Sequence, residues 1–434
     1  MPPRRHLPAR VSRRLAFALA LSIFLACQGP SPVAPTAGQA PSATRQAATA
    51  TSRRPGGVPA TPALAAEATA PVGAAGERSE AHLPLVQGGE DSPTPSAMTV
   101  DAYPYPLPTT PGPSPTPTTR PTNTPIPWPD PLDHPSASKL GLHVQWNNSP
   151  NIMRFIRNYR PAVVKAMDDV GFMAEVKEES PSTVTVARLS VDEQNTEGDP
   201  VERARAYVAM NLETYKSNPA VDYWEGLNEP GVRGRMDWYA AFEVERVRLM
   251  AEHGLRCAVG AFSAGTPEYN EIEAFLPAIR AAKEHGGILT LHEYDAPLFD
   301  RSVGQGVPGA AAYADRGPLA LRYRYWYEDF LKPRDLVIPL VISEAGVDGI
   351  VANRPGPEGR GWRDFSTYWS KQGLGGDDVQ TYLSQLAWYD GEVRKDHYVL
   401  GFAVFTAGAM NEDWRSYDIT SILRHIAHYI VKQN

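Results

Sequence analysis

The chain has 434 residues, a formal net charge of −7 and only two cysteines, Cys27 and Cys257. The acidic balance leaves no basic stripe for phosphate groups, which argues against nucleic acid as a partner. No spacing of cysteines and histidines predicts a metal site, and no cofactor is expected. If Cys27 is lipidated or removed, no disulfide can form, so the folded part must depend on a large hydrophobic core.

Residues 1–26 are typical of an export signal. Several arginines precede the apolar stretch Leu15 to Ala26, which is too short to cross a membrane as a stable helix. Cys27 follows directly and resembles the lipid-carrying cysteine of a bacterial lipoprotein signal, although Phe24 stands where such signals usually have Leu. The alternative is a plain secretion signal with an incidental cysteine. We expect an extracellular or cell-surface protein whose only membrane association is an N-terminal lipid.

Residues 27–138 have the composition of a linker. Positions 28–138 hold 24 of the 42 prolines and no lysine, and the rest is mostly Ala, Thr, Ser and Gly. Such a sequence favours extended polyproline-type backbone and cannot bury a core, which predicts a disordered, semi-rigid stalk. A low-complexity spacer without a role is the alternative.

Residues 139–434 predict a single α/β domain, which we expect to be monomeric. Apolar runs alternate with amphipathic segments as βα units require. The eight predicted strands are Leu140–Gln145, Ala162–Met167, Thr183–Leu189, Asp222–Leu227, Arg256–Phe262, Ile288–Tyr294, Leu336–Ser343 and Tyr398–Thr406. The clearest predicted helices are Glu202–Tyr215, Met236–His253, Ile272–His285, Leu319–Leu331 and Asp377–Arg394.

Eight strands are the number that closes a (β/α)8 TIM barrel. An open, doubly wound sheet would show the same alternation of strands and helices. However, no Gly-x-Gly-x-x-Gly phosphate turn follows the first predicted strand, which argues against a nucleotide-binding sheet of that kind.

Two glutamates lie near the ends of apolar runs. Glu229 follows the fourth predicted strand, and Glu344 follows the seventh. In a parallel barrel, catalytic groups collect at the C-terminal ends of the strands. Cleavage of a glycosidic bond requires two carboxyl groups across one cleft, one to protonate the leaving oxygen and one to attack the sugar. The pair therefore predicts a glycoside hydrolase acting on a polysaccharide or oligosaccharide.

The segment Trp224-Glu225-Gly226-Leu227-Asn228-Glu229-Pro230 resembles the Trp-Glu-x-x-Asn-Glu-Pro signature of the retaining clan-A glycoside hydrolases. In these "4/7" barrels the acid/base follows strand 4 and the nucleophile follows strand 7. The resemblance covers essentially all of 139–434. It implies a covalent glycosyl-enzyme, with Glu229 as acid/base, Glu344 as nucleophile and Asn228 hydrogen-bonded to the sugar 2-hydroxyl.

Strand 6 supplies two further candidate contacts. Alternation along the strand places His292 and Tyr294 on one face and Glu293 on the other. Tyr294 resembles the clan tyrosine that orients the nucleophile, and the alternative is an aromatic residue at the rim. His292 either contacts sugar, tunes the two carboxyls or has a structural role. Glu293 is expected to be structural, and would be the main rival carboxylate if it faced the cleft.

Charged side chains in strands 2 to 4 predict an ionic cluster inside the barrel. Glu225 is a carboxylate within a buried strand, and Lys165 and Arg188 are the available counter-charges. We expect this cluster to be structural first and to support a low pKa of Glu344 second. Arg188 is also a candidate substrate contact, as are His143 and Trp146 at the end of strand 1.

Strand 8 departs from the clan pattern, which usually has a Trp beneath the sugar at the −1 subsite. Here Phe405 would have to take that place, or Trp414 would have to reach in from the following loop. The loop after strand 7 carries several aromatic residues, among them Trp362 and Trp369. These predict either a stacking platform for sugars or a hydrophobic cluster beneath the loop.

Two other functions remain open from the sequence. One is a catalytically inactive barrel that only binds glycans. The other is an envelope transglycosylase that uses the same chemistry to transfer sugars.

Overall fold

The computed structural model describes residues 126–351, 354–357, 361–376 and 378–434 of the chain. Eight parallel strands close into a barrel in which each strand pairs with its neighbours in chain order. They are β1 (Leu140–Val144), β2 (Val163–Met167), β3 (Val184–Arg188), β4 (Tyr223–Glu225), β5 (Cys257–Phe262), β6 (Ile288–Asp295), β7 (Leu340–Val347) and β8 (Val399–Ala407). The predicted (β/α)8 TIM barrel is confirmed.

Helices alternate with the strands on the outside of the barrel. They are α1 (Pro150–Tyr159), α2 (Met173–Glu179), α3 (Pro200–Ser217), α4 (Met236–Glu252), α5 (Ile272–Glu284), α6 (Tyr323–Tyr325), α7 (Ser366–Lys371), α8 (Asp378–Val393) and α9 (Leu423–Val431). Local signals mark the start of α3: Asp199 accepts hydrogen bonds from two N–H groups of the first turn, and Pro200 is the first residue of the helix. Among the described residues, no helix is both long and apolar enough to cross a membrane.

Two predicted elements begin four residues later in the structure than the sequence indicated. β7 begins at Leu340 and not at Leu336, because Pro339 has no N–H for the ladder, and it continues to Val347, so that Glu344 lies inside the strand. The helix predicted from Leu319 begins only at Tyr323, and a π-helical turn, Trp326–Leu331, follows α6.

The barrel interior is layered. An apolar layer near the N-terminal ends of the strands contains Val163, Val186, Ala258, Ile288, Val341 and Ala403. Because alternate residues of a strand share a face, the next layer toward the C-terminal ends contains the side chains two residues further on. That layer includes Lys165, Arg188, Ser343 and Phe405. Charged and polar side chains therefore enter the barrel interior toward the C-terminal ends of the strands.

The segment 126–138 lies against the barrel, although the sequence placed it in the stalk. Trp128 stacks on Tyr159, with ring centroids 5.8 Å apart, and the N–H of Leu132 donates to the carbonyl of Asn158. Leu132 is buried in the core. The part of the chain that contacts the barrel thus begins before the predicted boundary at Lys139. The predicted export signal, Cys27 and the predicted stalk up to residue 125 lie outside the described residues.

Candidate active site

The structure brings Glu229 and Glu344 together at the C-terminal end of the barrel. One oxygen of each carboxyl group and one ring nitrogen of His292 all lie within 4.8 Å of one another. Glu229 has a φ of +44°, a left-handed conformation that is costly for a residue with a side chain, and its N–H donates to the carbonyl of Ala261 in β5. Such a strained backbone persists only where the surrounding contacts hold it. Those contacts therefore also fix the position of the Glu229 carboxyl group.

The Glu344 carboxylate is buried, and each of its two oxygens accepts a hydrogen bond. Its Oε1 accepts a hydrogen bond from the Lys165 ammonium at 2.9 Å, and its Oε2 accepts one from the Tyr294 hydroxyl at 2.9 Å. Arg188 Nη2 lies 3.9 Å from Oε1. Burial alone would raise the pKa of Glu344, but the neighbouring His292, Lys165, His143 and Arg188 hold this pKa well below its usual range. Glu344 is therefore ionised near neutral pH.

His143 lies beside Glu344 but carries no charge near neutral pH. Its Nε2 is 3.6 Å from Glu344 Oε1. Burial lowers the pKa of His143 to about 3, which outweighs the attraction of Glu344. The permanent positive charges beside Glu344 are consequently those of Lys165 and Arg188.

His292 bridges the two carboxyl groups. Its Nδ1 is 2.7 Å from Glu229 Oε1 and 3.6 Å from Glu344 Oε2, and the side chain is completely buried. Two carboxylates and a histidine at this spacing could also hold a metal ion. However, the positive charges of Lys165 and Arg188 already lie beside Glu344, which disfavours a cation there.

Glu293 lies on the opposite face of β6, as the alternation predicted. Its carboxyl group accepts hydrogen bonds from the N–H groups of Leu321 and Tyr323 and from the hydroxyl of Tyr389. It therefore fixes the segment that leads into α6, on the side of β6 that faces away from the cleft. Burial raises the pKa of Glu293 to about 7, against the lowering effect of these hydrogen bonds.

The interior ionic cluster is present, with Lys165 at its centre. The Lys165 ammonium lies 2.9 Å from Glu225 Oε2 as well as 2.9 Å from Glu344 Oε1, and Lys165 and Glu225 are completely buried. Burial would raise the pKa of Glu225, but Lys165, His292 and Arg188 lower it to about 2. Arg188 instead makes its closest ion pair with Glu193, at 3.1 Å. Glu193 lies in a loop after β3, and no sequence signal singled it out.

Asn228 is half-buried beside Glu229. Its N–H donates to the carbonyl of Glu193 at 3.1 Å. Within the described part of the chain, its buried side-chain oxygen has no hydrogen-bond partner. That oxygen therefore has unused hydrogen-bonding capacity.

On the β8 side, Phe405 and not Trp414 packs against the residues that contact Glu344. Phe405 is 7% exposed, its ring centroid is 4.8 Å from that of His143 and 6.2 Å from that of Tyr294, and its peptide bond to Thr406 is cis. The ring centroid of Trp414 is 5.3 Å from that of Phe405. Trp146 is 53% exposed at the end of β1.

The aromatic residues after β7 form a hydrophobic cluster. Trp362 stacks on Tyr382 with ring centroids 5.0 Å apart, and the Trp369 indole N–H donates to the carbonyl of Pro297. Trp362, Phe365 and Trp369 are all buried. The platform predicted as one alternative for this loop is therefore not formed by these rings.

The sequence missed one carboxylate near the site. Asp348 directly follows β7 and accepts a hydrogen bond from the hydroxyl of Tyr417 at 2.7 Å. A lone aspartate in a loop carries no motif, so only the fold could place it here.

No protein-family model matches the sequence, and no curated protein matches it. Solved structures are similar in fold. A family 39 glycoside hydrolase from the gut symbiont Bacteroides cellulosilyticus is 12% identical, with a TM-score of 0.45. The match covers 67% of this chain, which spans 63% of the length of that enzyme.

Two further structures have the same kind of similarity. A glycoside hydrolase family 5 enzyme from Prevotella bryantii is 12% identical over 70% of this chain and 100% of its own, with a TM-score of 0.39. A GH128 (subgroup II) endo-beta-1,3-glucanase from Pseudomonas viridiflava is 14% identical over 65% of this chain and 92% of its own, with a TM-score of 0.36.

Proposed function

We propose that this protein is a retaining glycoside hydrolase that cleaves O-glycosidic bonds of a polysaccharide or oligosaccharide by double displacement. One observation carries the proposal: Glu229 and an ionised Glu344 have carboxyl oxygens within 4.8 Å of each other at the C-terminal end of a TIM barrel. Retaining enzymes hold their two carboxyl groups about 5–5.5 Å apart, whereas inverting enzymes leave room for a water molecule.

In the first step, Glu344 attacks the anomeric carbon while Glu229 donates a proton to the leaving oxygen. The hydrogen bonds from Lys165 and Tyr294 position the nucleophile. As positive charge develops on the sugar, the negative charge of Glu344 stabilises it. The free side-chain oxygen of Asn228 accepts a hydrogen bond from the sugar 2-hydroxyl.

In the second step, Glu229 takes a proton from water, and that water releases the sugar from Glu344 with its original configuration. His292 contacts Glu229 and lies near Glu344, so it can hold the acid/base in place through both steps. Phe405 would lie beneath the bound sugar, and Trp146, Trp414 and Arg188 would meet substrate around it.

We also propose that the enzyme is exported, acts as a monomer and is held at the cell surface by a lipid on Cys27. The stalk would then extend the barrel toward polymeric substrate. Replacing Cys27 by Ser tests the anchor: the protein should move from the membrane fraction to the soluble envelope fraction or the medium. An unchanged distribution would contradict the lipid.

A panel of 4-nitrophenyl glycosides of mono- and disaccharides, together with soluble polysaccharides, tests the activity. NMR of the first product should show the anomeric configuration of the substrate. An inverted product contradicts the mechanism. Binding of a glycan without cleavage by the wild-type protein would favour a glycan-binding barrel, and transfer to an added sugar in preference to water would favour a transglycosylase.

A further inference from the structure

A third carboxylate, Asp348, lies in the same region as Glu229 and Glu344. It is half-buried and stands four residues after Glu344 in the chain. Its Oδ1 accepts two hydrogen bonds, from the N–H of Ile350 at 2.8 Å and from the hydroxyl of Tyr417 at 2.7 Å. Among the residues that the structure describes, none donates a hydrogen bond to Oδ2. One oxygen is thus fixed, and the other has no hydrogen-bond donor among these described residues.

A continuous set of contacts joins Asp348 to the nucleophile. Tyr294, which donates to Glu344, shares one buried cluster with Phe405 and Tyr417. The rings of Phe405 and Tyr417 are 5.6 Å apart, and Tyr417 in turn holds Asp348. Asp348 is therefore joined, through Tyr417 and Phe405, to the residues that contact Glu344.

The charges of the three carboxyl groups act on one another. Burial raises the pKa of Asp348 to about 6, and the negative charges of Glu229 and Glu344 add to that effect. In the described part of the chain, no basic side chain forms an ion pair with Asp348.

We propose that Asp348 determines specificity in this site: its Oδ2 oxygen accepts a hydrogen bond from a hydroxyl group of the sugar bound at Glu344. The inference rests on the proposed glycoside hydrolase activity and narrows its substrates. The sugar is neutral, because a third carboxylate would repel a uronic acid or a sulfated sugar. The sugar also presents a free hydroxyl group toward Asp348. An epimer or deoxy sugar that lacks this hydroxyl group is cleaved with a lower kcat/KM.

Asp348→Asn tests this inference with little change in shape. The two donors at Oδ1 require the amide oxygen there, so the amide NH2 takes the place of Oδ2. A donor then replaces the acceptor. A hydrogen bond to a charged group is worth about 10- to 100-fold in affinity or rate. We therefore expect kcat/KM for the preferred sugar to fall by about tenfold or more.

The probes are the 4-nitrophenyl glycosides of D-glucose, D-galactose, D-mannose and D-xylose, and of disaccharides ending in these sugars. In Asp348→Asn, kcat/KM should fall for the glycoside that the wild-type protein prefers and should change by less than about threefold for its poorest substrate. The difference in kcat/KM between the two glycosides should therefore largely disappear. A merely structural role would lower all members by the same factor.

Tyr417→Phe is the matched control. It removes one hydrogen bond from Oδ1 but leaves the carboxylate, so the ranking of the glycosides should persist even if stability falls. The inference is overturned if Asp348→Asn preserves the ranking, or if Tyr417→Phe abolishes selectivity to the same extent. If the wild-type protein cleaves no member of the panel, the proposed activity itself fails and the inference falls with it.

Discussion

Lys165 joins Glu344 to Glu225 across the inside of the barrel. Its ammonium is 2.9 Å from a carboxyl oxygen of each, although the three residues come from β2, β7 and β4. One lysine thus compensates two buried carboxylates, one of which is the proposed nucleophile. Removing it leaves both negative charges buried with much less compensation.

Lys165→Met should impair both stability and activity. Removing one partner of a buried ion pair costs about 3–5 kcal/mol in the free energy of unfolding. The pKa of Glu344 should rise, so the acidic limb of kcat/KM against pH should move to higher pH. Urea unfolding and a pH–rate profile measure the two effects. Lys177→Met is the control, because Lys177 pairs with Asp222 away from Glu344 and should leave the profile unchanged.

Glu344→Ala should abolish turnover, because it removes the group that attacks the anomeric carbon. Azide should restore activity and give a glycosyl azide of inverted configuration, since a small anion can fill the vacated place. A 2-fluoro glycoside of the right sugar should label Glu344 in the wild-type protein, as mass spectrometry of peptides would show. A label on Glu293 would contradict the assignment.

Glu229→Ala should have a different signature. Substrates with good leaving groups need no proton, so their first step should be nearly normal, while poor leaving groups should lose about 10²- to 10⁴-fold in kcat/KM. The second step should slow for lack of a base, and the glycosyl-enzyme should accumulate. A pre-steady-state burst with a dinitrophenyl glycoside measures this. Equal loss with all leaving groups would exclude Glu229 as the acid.

The sequence revealed the positions of Glu229 and Glu344 because apolar runs identify strands, and barrel topology gathers the strand ends. It revealed His292 and Tyr294 on a common face for a similar reason, since alternation along a strand is a local property. These inferences need no knowledge of side-chain packing.

Other features depend on register and loop packing, which the sequence did not provide. Lys165 contacts Glu225 and Glu344 because the closed barrel places β2, β4 and β7 around one interior. Arg188 pairs with Glu193 because the loop after β3 places that residue next to it. Trp362 could equally have faced solvent or core. Asp348 has no sequence signal, because the residue that holds it, Tyr417, lies far along the chain.

The free energy of unfolding should depend on pH because of Glu293. Its pKa is about 7 in the folded protein against an ordinary value of 4.5, so it contributes stability that is complete below pH 4.5 and is lost as the pH rises through 7. Over the range from pH 5 to pH 8 the loss is about 2–3 kcal/mol. Glu293→Gln cannot titrate, so its free energy of unfolding should fall less over this range than that of the wild type. Equal changes in urea titrations at both pH values would contradict the burial of an ionisable Glu293.

Gly408 and Gly373 offer a matched pair of substitutions. Both have left-handed backbone, with φ of +65° and +67°, so an alanine at either position bears the same conformational cost. A Cβ at Gly373 would meet open space, whereas one at Gly408 would collide with the carbonyl oxygen of Trp146. Gly408→Ala should therefore be less stable than Gly373→Ala by about 1–3 kcal/mol, the usual cost of overpacking.

The same collision should move Trp146, whose exposed indole is a proposed substrate contact. Gly408→Ala should then raise KM for a polysaccharide several-fold, and Trp146→Ala should do the same without the loss of stability. Gly373→Ala should leave KM unchanged, because that glycine lies beside α7 and not at the end of β1. Thermal unfolding and steady-state kinetics of the three variants distinguish the effects. An unchanged KM in Trp146→Ala would remove this residue from the substrate site, and equal stability of the two glycine variants would contradict the close contact at Gly408.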